Sequence, residues 1–278
     1  MEKQHRIDCH THIVNQKIKD AYYQNPGGYA IIMEFLPQFA NAQMPDESWQ
    51  LAAEDERLFL SPCIDIHQDI PAQLAAIEDK MLARPECGVV GLKIFLTYQK
   101  GRADDEKMMC IYEFARRYGL SVTYHTGLPS LHLPTDDDME GSSAKYVRNV
   151  AIAYPDVNFI VAHLDDPRFD ECIEAMHGLP NMYSDFSGTF EPGASAMEDI
   201  EQTIRAYDRA IHLYPDAYRQ ILYGTDFCPP IALSAFGEYD ETIRQIFTPD
   251  QFEDIYWNNP LRAFPKLAGI LREKGIIK

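Results

Sequence analysis

Two histidines separated by one residue, His10 and His12, lie near the start of the chain in Arg-Ile-Asp-Cys-His-Thr-His-Ile, residues 6–13. Ile7 and Cys9 alternate there with Asp8, His10 and His12, which is the period of a strand. On such a strand both imidazoles point to one side, about 6.5–7 Å apart at ~3.3 Å per residue. Two ring nitrogens so placed can converge on one metal ion, each at roughly 2.0–2.1 Å. Alone, the pair reads as readily as two exposed or core histidines. Lys93, His125, His163 and Asp226 tilt that balance, because each closes a run that is otherwise largely apolar or small. Imidazoles plus one carboxylate suit zinc, and the absence of thiolate ligands favours an open, catalytic site over a structural one. A metal held there would lower the pKa of a bound water toward ~7, so that hydroxide is available at neutral pH.

Elements must carry these residues to one place. Short apolar runs predict strands at 6–13, 29–36, 58–64, 88–95, 120–125, 157–163, 181–186 and 220–226. A short helix is expected around 46–54. Leu74, Ile77, Met81 and Leu82 recur at helical spacing after Pro71, and Ile111, Phe114, Ala115 and Tyr118 mark a helix stopped by Gly119. Val147, Val150, Ala151 and Tyr154 give another, 169–177 a shorter one, and Ile200, Ile204, Tyr207, Ile211 and Tyr214 form a stripe. Thr248-Pro249-Asp250-Gln251 opens a last helix with an N-cap, a first-turn proline and a glutamine placed for a capping box. Strands alternating with helices imply a parallel sheet, and eight such units imply an α/β fold of the (β/α)8 TIM-barrel type, one domain over residues 1–278. An open doubly wound sheet is the runner-up, but no Gly-x-Gly-x-x-Gly follows the first strand to hold a dinucleotide. In a barrel, catalytic residues sit at the carboxyl ends of strands, and His10, His12, Lys93, His125, His163 and Asp226 fall there. Six polar residues at one rim would each be a costly half-buried group without a role.

Composition narrows the partners. The 278 residues are 46% hydrophobic, enough for one large core, and no Gly/Ser/Pro-rich linker divides them. A net charge of −18 argues against nucleic acid or an anionic membrane as a general partner, though a local basic pocket for an anionic small molecule is allowed. The start lacks the apolar stretch of a signal peptide, and no apolar run approaches the ~20 residues of a membrane span. Six cysteines without a Cys-x-x-Cys pair read as reduced thiols of a cytoplasmic protein.

The order of strand-end residues, from Asp-x-His-x-His to the closing Trp257-Asn258-Asn259-Pro260-Leu261-Arg262-Ala263-Phe264, resembles the amidohydrolase superfamily over essentially the whole chain. It looks most like the amidohydrolase-related branch that contains aminocarboxymuconate-semialdehyde decarboxylase-like proteins. The resemblance implies that His10, His12, His125 and Asp226 hold one divalent metal, zinc first among the candidates, with His163 beside it as a base or hydrogen-bonding partner. In binuclear relatives a strand-four lysine carries a carbamate bridging two metals. Lys93 and His163 could serve that arrangement, and an uncarboxylated Lys93 binding substrate charge is an equally serious alternative.

Three enzyme readings follow. The first is a metal-dependent hydrolase of an amide, ester or lactone in a small molecule, with or without a carboxylate. In it Asp226 relays the proton and His163 stabilises the oxyanion. The second is a decarboxylase on the same barrel. The third, a TatD-like nuclease, is disfavoured by Lys93 and the acidic charge. A catalytically silent metal-binding barrel is the non-enzymatic alternative.

Substrate contacts are sketched more thinly. Lys100 and Arg102 in the loop after strand four are candidates for a substrate carboxylate, against a solvated loop. His132 in the long 126–143 connection is a candidate for touching substrate, while Asp136-Asp137-Asp138 reads as a solvated turn or a helix start. Asp185 and Ser187 either line the pocket or, for Asp185, form a buried hydrogen-bonded group. Cys228 could face the pocket. His67 could reach the rim but is left out of the metal set, and His5, His177 and His212 read as surface or helix residues. A homo-oligomer is allowed, and nothing in the sequence demonstrates one.

Overall fold

A computed structural model describes residues 5–24, 28–36, 46–129, 139–188, 200–227 and 236–278. Its eight strands are β1 (Ile7–Thr11), β2 (Tyr29–Met33), β3 (Leu58–Ser61), β4 (Gly91–Phe95), β5 (Ser121–His125), β6 (Phe159–Val161), β7 (Met182–Asp185) and β8 (Ile221–Leu222). They pair in parallel as β1–β2–β3 and as β4 through β8 in sequence order. Both gaps between these runs are bridged. Leu60 pairs with Val89 and Cys63 with Lys93 at one, and Thr11 with Phe227 at the other. At the β8–β1 seam, Cys9 N donates to Tyr223 O at 2.9 Å, Asp226 N to His10 O at 2.8 Å and His12 N to Phe227 O at 2.9 Å. The result is the (β/α)8 barrel expected from the alternation.

The helices are α1 (Gln16–Tyr22), α2 (Glu47–Glu54), α3 (Ile70–Ala83), α4 (Leu96–Gln99), α5 (Met109–Tyr118), α6 (Ala144–Ala153), α7 (Phe169–Met176), α8 (Ile200–Ile211), α9 (Phe236–Ile246), α10 (Asn259–Ala263) and α11 (Pro265–Glu273). Gly119 ends α5 in the left-handed conformation, and Thr248 and Gln251 form the expected capping box. Of the expected α8 stripe, Tyr207 and Ile211 are buried and Ile204 and Tyr214 pack against the core, with Thr203, Ala206 and Ala210 filling the same face, while Ile200 at the helix start is 45% exposed. Among the described residues no helix is long and apolar enough to cross a membrane.

Side chains sort into two apolar clusters. Leu92, Ile94, Val122, Tyr124, Phe159 and Val161 pack outward among residues of the helices. Ile7, Cys9, Ile31, Met33, Phe59, Val90, Ile160, Tyr183 and Leu222 pack with Trp257, Phe264, Leu267 and Leu271 from the end of the chain. That second cluster is the barrel's floor. Ser121, opening β5, donates to Ala263 O at 2.6 Å, and Asn259 Nδ2 donates to Ile221 O at 2.7 Å, so the C-terminal segment sits under the starts of the strands.

One local departure decides where the first histidines go. Asp8 pairs with Ala30 but Thr11 with Ile32, so three steps along β1 oppose two along β2. This one-residue bulge breaks strict alternation. Cys9 stays with the floor, and His10 still turns to the interior. Asp8, expected on the histidine face, instead meets Tyr22 and Thr225.

Candidate metal centre

Lys93, His125, His163 and Asp226 are all buried, as are His10 and His12, and they gather at the carboxyl-end mouth of the barrel. Their strands are shorter than the sequence suggests. His12 follows β1, His163 lies two residues past β6, and Asp226 four past β8. The extension past β8 depends on Gly224, where a Cβ would stand 3.1 Å from the Cβ of His10 and 3.3 Å from that of Asp185. A side chain here would crowd both neighbours, so glycine suits the close passage of this backbone between the two.

The turn after β6 is left-handed at three successive residues, with φ of 60° at His163, 51° at Leu164 and 56° at Asp165, and Asp226 also has φ of 51°. Such backbone costs non-glycine residues on the order of 1–3 kcal/mol each and collects at functional sites. It is held here by specific bonds. Asp165 accepts from Arg168 Nη2 at 2.6 Å and from Ala144 N at 3.0 Å.

The outward nitrogen of each imidazole has an acceptor that fixes its tautomer. His12 Nδ1 lies 2.7 Å from Met33 O, His163 Nδ1 2.9 Å from Ser187 O, and His125 Nε2 3.2 Å from Leu128 O. His10 Nδ1 lies 3.1 Å from Asp185 Oδ2. A carbonyl or carboxylate can only accept, so in each ring the proton sits outside and the inward nitrogen carries a lone pair. The Leu128 contact in turn depends on Gly127, at φ +69°, where a Cβ would meet Asp166 O at 2.2 Å.

Those inward lone pairs face one another. His163 Nε2 and His125 Nδ1 are 3.0 Å apart, and His12 Nε2 is 3.1 Å from Asp226 Oδ1. His10 Nε2 is 3.4 Å from the same oxygen and 3.1 Å from Lys93 Nζ. Asp226 Oδ1 is buried without a hydrogen-bond partner among the described residues, since a bare Nε2 has no proton to give. Donor atoms of His10, His163 and Asp226 lie within 4.8 Å of one another. Lone pairs crowded around an orphaned carboxylate oxygen are what a divalent cation relieves, so this donor set fits a metal ion. The sequence-expected set was His10, His12, His125 and Asp226 with His163 alongside. In the structure His163 joins the tightest trio, His12 reaches it through Asp226, and His125 reaches it through His163.

Electrostatics keeps the donors in ligand form. Burial, with Lys93 nearby, brings His10 down to about 4, and burial with His163 and Lys93 holds His125 well below its usual range. Burial pushes Asp226 up, and what holds the carboxyl well below its ordinary value is positive charge on the His10, His12 and His163 imidazoles, a charge that a bound cation would supply where the rings are neutral. Asp185 is low for the same reason, through His10, His163 and Ser187. Burial lowers the Lys93 amine to about 8. Neutral imidazoles and ionised carboxylates are the cation-binding forms.

Other candidates fare differently. Arg102 is committed to Asp104, at 2.9 Å, and to the Tyr146 ring, 4.0 Å away. His67 and His212 are exposed, His5 meets the Trp257 ring edge-on, and His177 stacks on Tyr214. His132, Asp136-Asp137-Asp138 and Cys228 lie outside the described residues. Phe35, which stacks on His12 at 4.1 Å, had no role assigned from sequence, while Asp185, expected either to line the pocket or to be a buried hydrogen-bonded group, is the latter, wholly buried behind His10. The place of Asp185 at the end of β7, matching the other strand-end polar residues, was the available signal.

A family model described as Amidohydrolase matches residues 7–266. The chain belongs to the amidohydrolase family. No curated protein matches it in sequence. Among solved structures, this amidohydrolase is similar to an uncharacterized TIM-barrel protein from Bordetella bronchiseptica, with TM-score 0.65 and 15% identity over 95% of this chain and 99% of that one. It is similar to a probable 2-pyrone-4,6-dicarboxylic acid hydrolase from Acinetobacter baumannii with citric acid bound, with TM-score 0.65 and 12% identity over 94% and 100%. It is also similar to a 5-carboxyvanillate decarboxylase from Novosphingobium aromaticivorans, complexed with manganese and 4-hydroxy-3-methoxy-5-nitrobenzoic acid. There the TM-score is 0.57 and the identity 14%, over 95% and 97%. At these identities the likeness is one of fold.

Proposed function

We propose that this amidohydrolase is a metal-dependent hydrolase that cleaves an amide, ester or lactone bond of a small molecule. The observation that carries the reading is the orphaned Asp226 Oδ1 among inward-facing imidazole nitrogens. We assign the ion to His10, His12, His125 and Asp226, with His163 at its side and zinc as the first candidate. When bound, the ion would supply Lewis-acid polarisation of the scissile carbonyl and a more acidic attacking water. Asp226 accepts the proton of that water and delivers it to the leaving group. His163, with Nδ1–H fixed on Ser187 O, presents a bare Nε2 that suits a ligand or a base. It can donate to an oxyanion only after it has taken up a proton, so the oxyanion role belongs to its protonated form.

A second reading, non-oxidative decarboxylation, is favoured by Lys93. The amine is fully buried beside His10, and no carboxylate among the described residues lies within ion-pair distance of it. Protonated Lys93 would hold a substrate carboxylate. A neutral Lys93 that takes up carbon dioxide as a carbamate would instead support a second ion with His163. Both chemistries are represented in the names of proteins with similar folds.

Elemental analysis of protein purified without chelator gives the metal count, one equivalent for the mononuclear site and two for the carbamate form. Turnover of an ester, lactone, amide and aromatic-acid panel in ¹⁸O-water then separates the reactions. Hydrolysis places one ¹⁸O in the product acid. Carbon dioxide release without water incorporation rejects it in favour of the lyase.

A further inference from the structure

Asp185 faces two ways. Its Oδ2 receives His10 Nδ1 at 3.1 Å. Its Oδ1 receives the backbone N–H of His163 at 3.0 Å, that of Ser187 at 3.1 Å and the Ser187 hydroxyl at 2.5 Å. One buried carboxylate at the end of β7 therefore holds the ring of a β1 histidine and the strained backbone of a histidine beyond β6. His163 N is bonded where φ is 60°, so this contact also pins the left-handed turn that aims the second ring.

We propose that Asp185 is a positioning residue that fixes His10 in its Nδ1–H tautomer and so presents Nε2 to the metal. The inference rests on the reading that the donor cluster binds a divalent ion. The argument is one of donor and acceptor counts. An asparagine in the same place would keep its oxygen toward the two backbone N–H groups of His163 and Ser187, because those can only donate. Its amide would then point at His10 Nδ1 as a donor. The ring must answer by accepting at Nδ1, and the proton moves to Nε2, where Asp226 Oδ1 lies 3.4 Å away and can accept it. The bonds around residue 185 are kept, Lys93 Nζ, 3.1 Å from Nε2, loses an acceptor, and the site loses a ligand lone pair. Outer-sphere carboxylates of this kind typically change metal affinity by about 10–100-fold when altered.

The test uses full-length, metal-free protein. Long-range ¹H–¹⁵N correlation of the histidine rings should show His10 as Nδ1–H in the wild type and Nε2–H in Asp185→Asn. Zinc affinity, read by competition with a chromogenic chelator, should fall about 10–100-fold in that variant while far-UV circular dichroism stays that of the wild type. Ser187→Ala removes a hydroxyl 3.2 Å from His10 Nδ1 but leaves the carboxylate in place, so it should leave the His10 tautomer unchanged. A wild-type His10 already protonated at Nε2 overturns the inference without any variant, even if Asp185→Asn fails to fold. So does zinc affinity within twofold of wild type in a folded Asp185→Asn, a result that leaves the metal reading intact. Wild-type protein that takes up no zinc overturns both.

Discussion

Asp226 combines a left-handed backbone, full burial and an ionised carboxyl, and each has an identifiable support: its N–H on His10 O, its place past Gly224, and three imidazoles around its oxygens. Asp226→Asn keeps the shape and one carbonyl-type oxygen but cannot act as a base near neutral pH. Turnover measured at saturating metal is expected to fall about 10²–10⁴-fold, the usual scale for a general base. Full turnover in a metal-loaded variant would remove Asp226 from the proton relay. At this scale the sequence was informative wherever a side chain ends an apolar run, which is why six residues could be named before any coordinates. It was silent on the acceptors that set the tautomers. Met33 O, Ser187 O and Leu128 O are backbone carbonyls, which every residue carries and no residue type announces.

Strands deliver these groups, and the seam between β8 and β1 does so with little regular pairing, since β8 is two residues long. Asp8 reinforces it. One oxygen accepts from Thr225 N at 3.0 Å and His10 N at 3.3 Å, the other from the hydroxyls of Thr225 at 2.7 Å and Tyr22 at 3.2 Å. As at Asp185, the donors that cannot reverse lie on one side only, but on the other side Asp8 meets hydroxyls in place of a histidine ring. Asparagine could face its oxygen to the backbone and its amide to the hydroxyls, which rotate to accept. Asp8→Asn should therefore cost roughly 1 kcal/mol or less, whereas Asp8→Ala strands buried donors at about 1–3 kcal/mol each and should cost several kcal/mol. Equal losses for the two variants in urea melts would show that hydrogen-bond directionality does not govern the seam. The β1 bulge was not legible for a related reason. A strand's own period says which faces it has, but an extra residue is defined only against the partner it pairs with. Helix α9 carries a legible signal that was not among the expected elements, since its buried Tyr239, Ile243 and Ile246 recur at i, i+4 and i+7 among charged residues.

On the scale of the whole molecule, the barrel separates a mouth that binds from a floor that stabilises. A five-residue strand such as β4 puts these about 15 Å apart. Phe264 belongs to the floor. It is fully buried, and a Cβ added at Gly91, the first residue of β4, would lie 3.5 Å from its ring. The α11 face carrying Leu267 and Leu271 is buried against the same barrel. Phe264→Ala removes a large buried ring where β4, β5 and the closing helices meet, and such a cavity costs about 3–5 kcal/mol. At roughly 2–4 °C per kcal/mol, its melting temperature should drop on the order of 10 °C. Zinc affinity of the folded protein should stay within about twofold, because among the described residues nothing in the closing segment that carries Phe264, Leu267 and Leu271 contributes to the Asp226 cluster or to the acceptors behind it. A variant that melts normally but loses zinc would mean that the closing segment shapes the mouth through the strands, and that the two ends of this barrel are not independent.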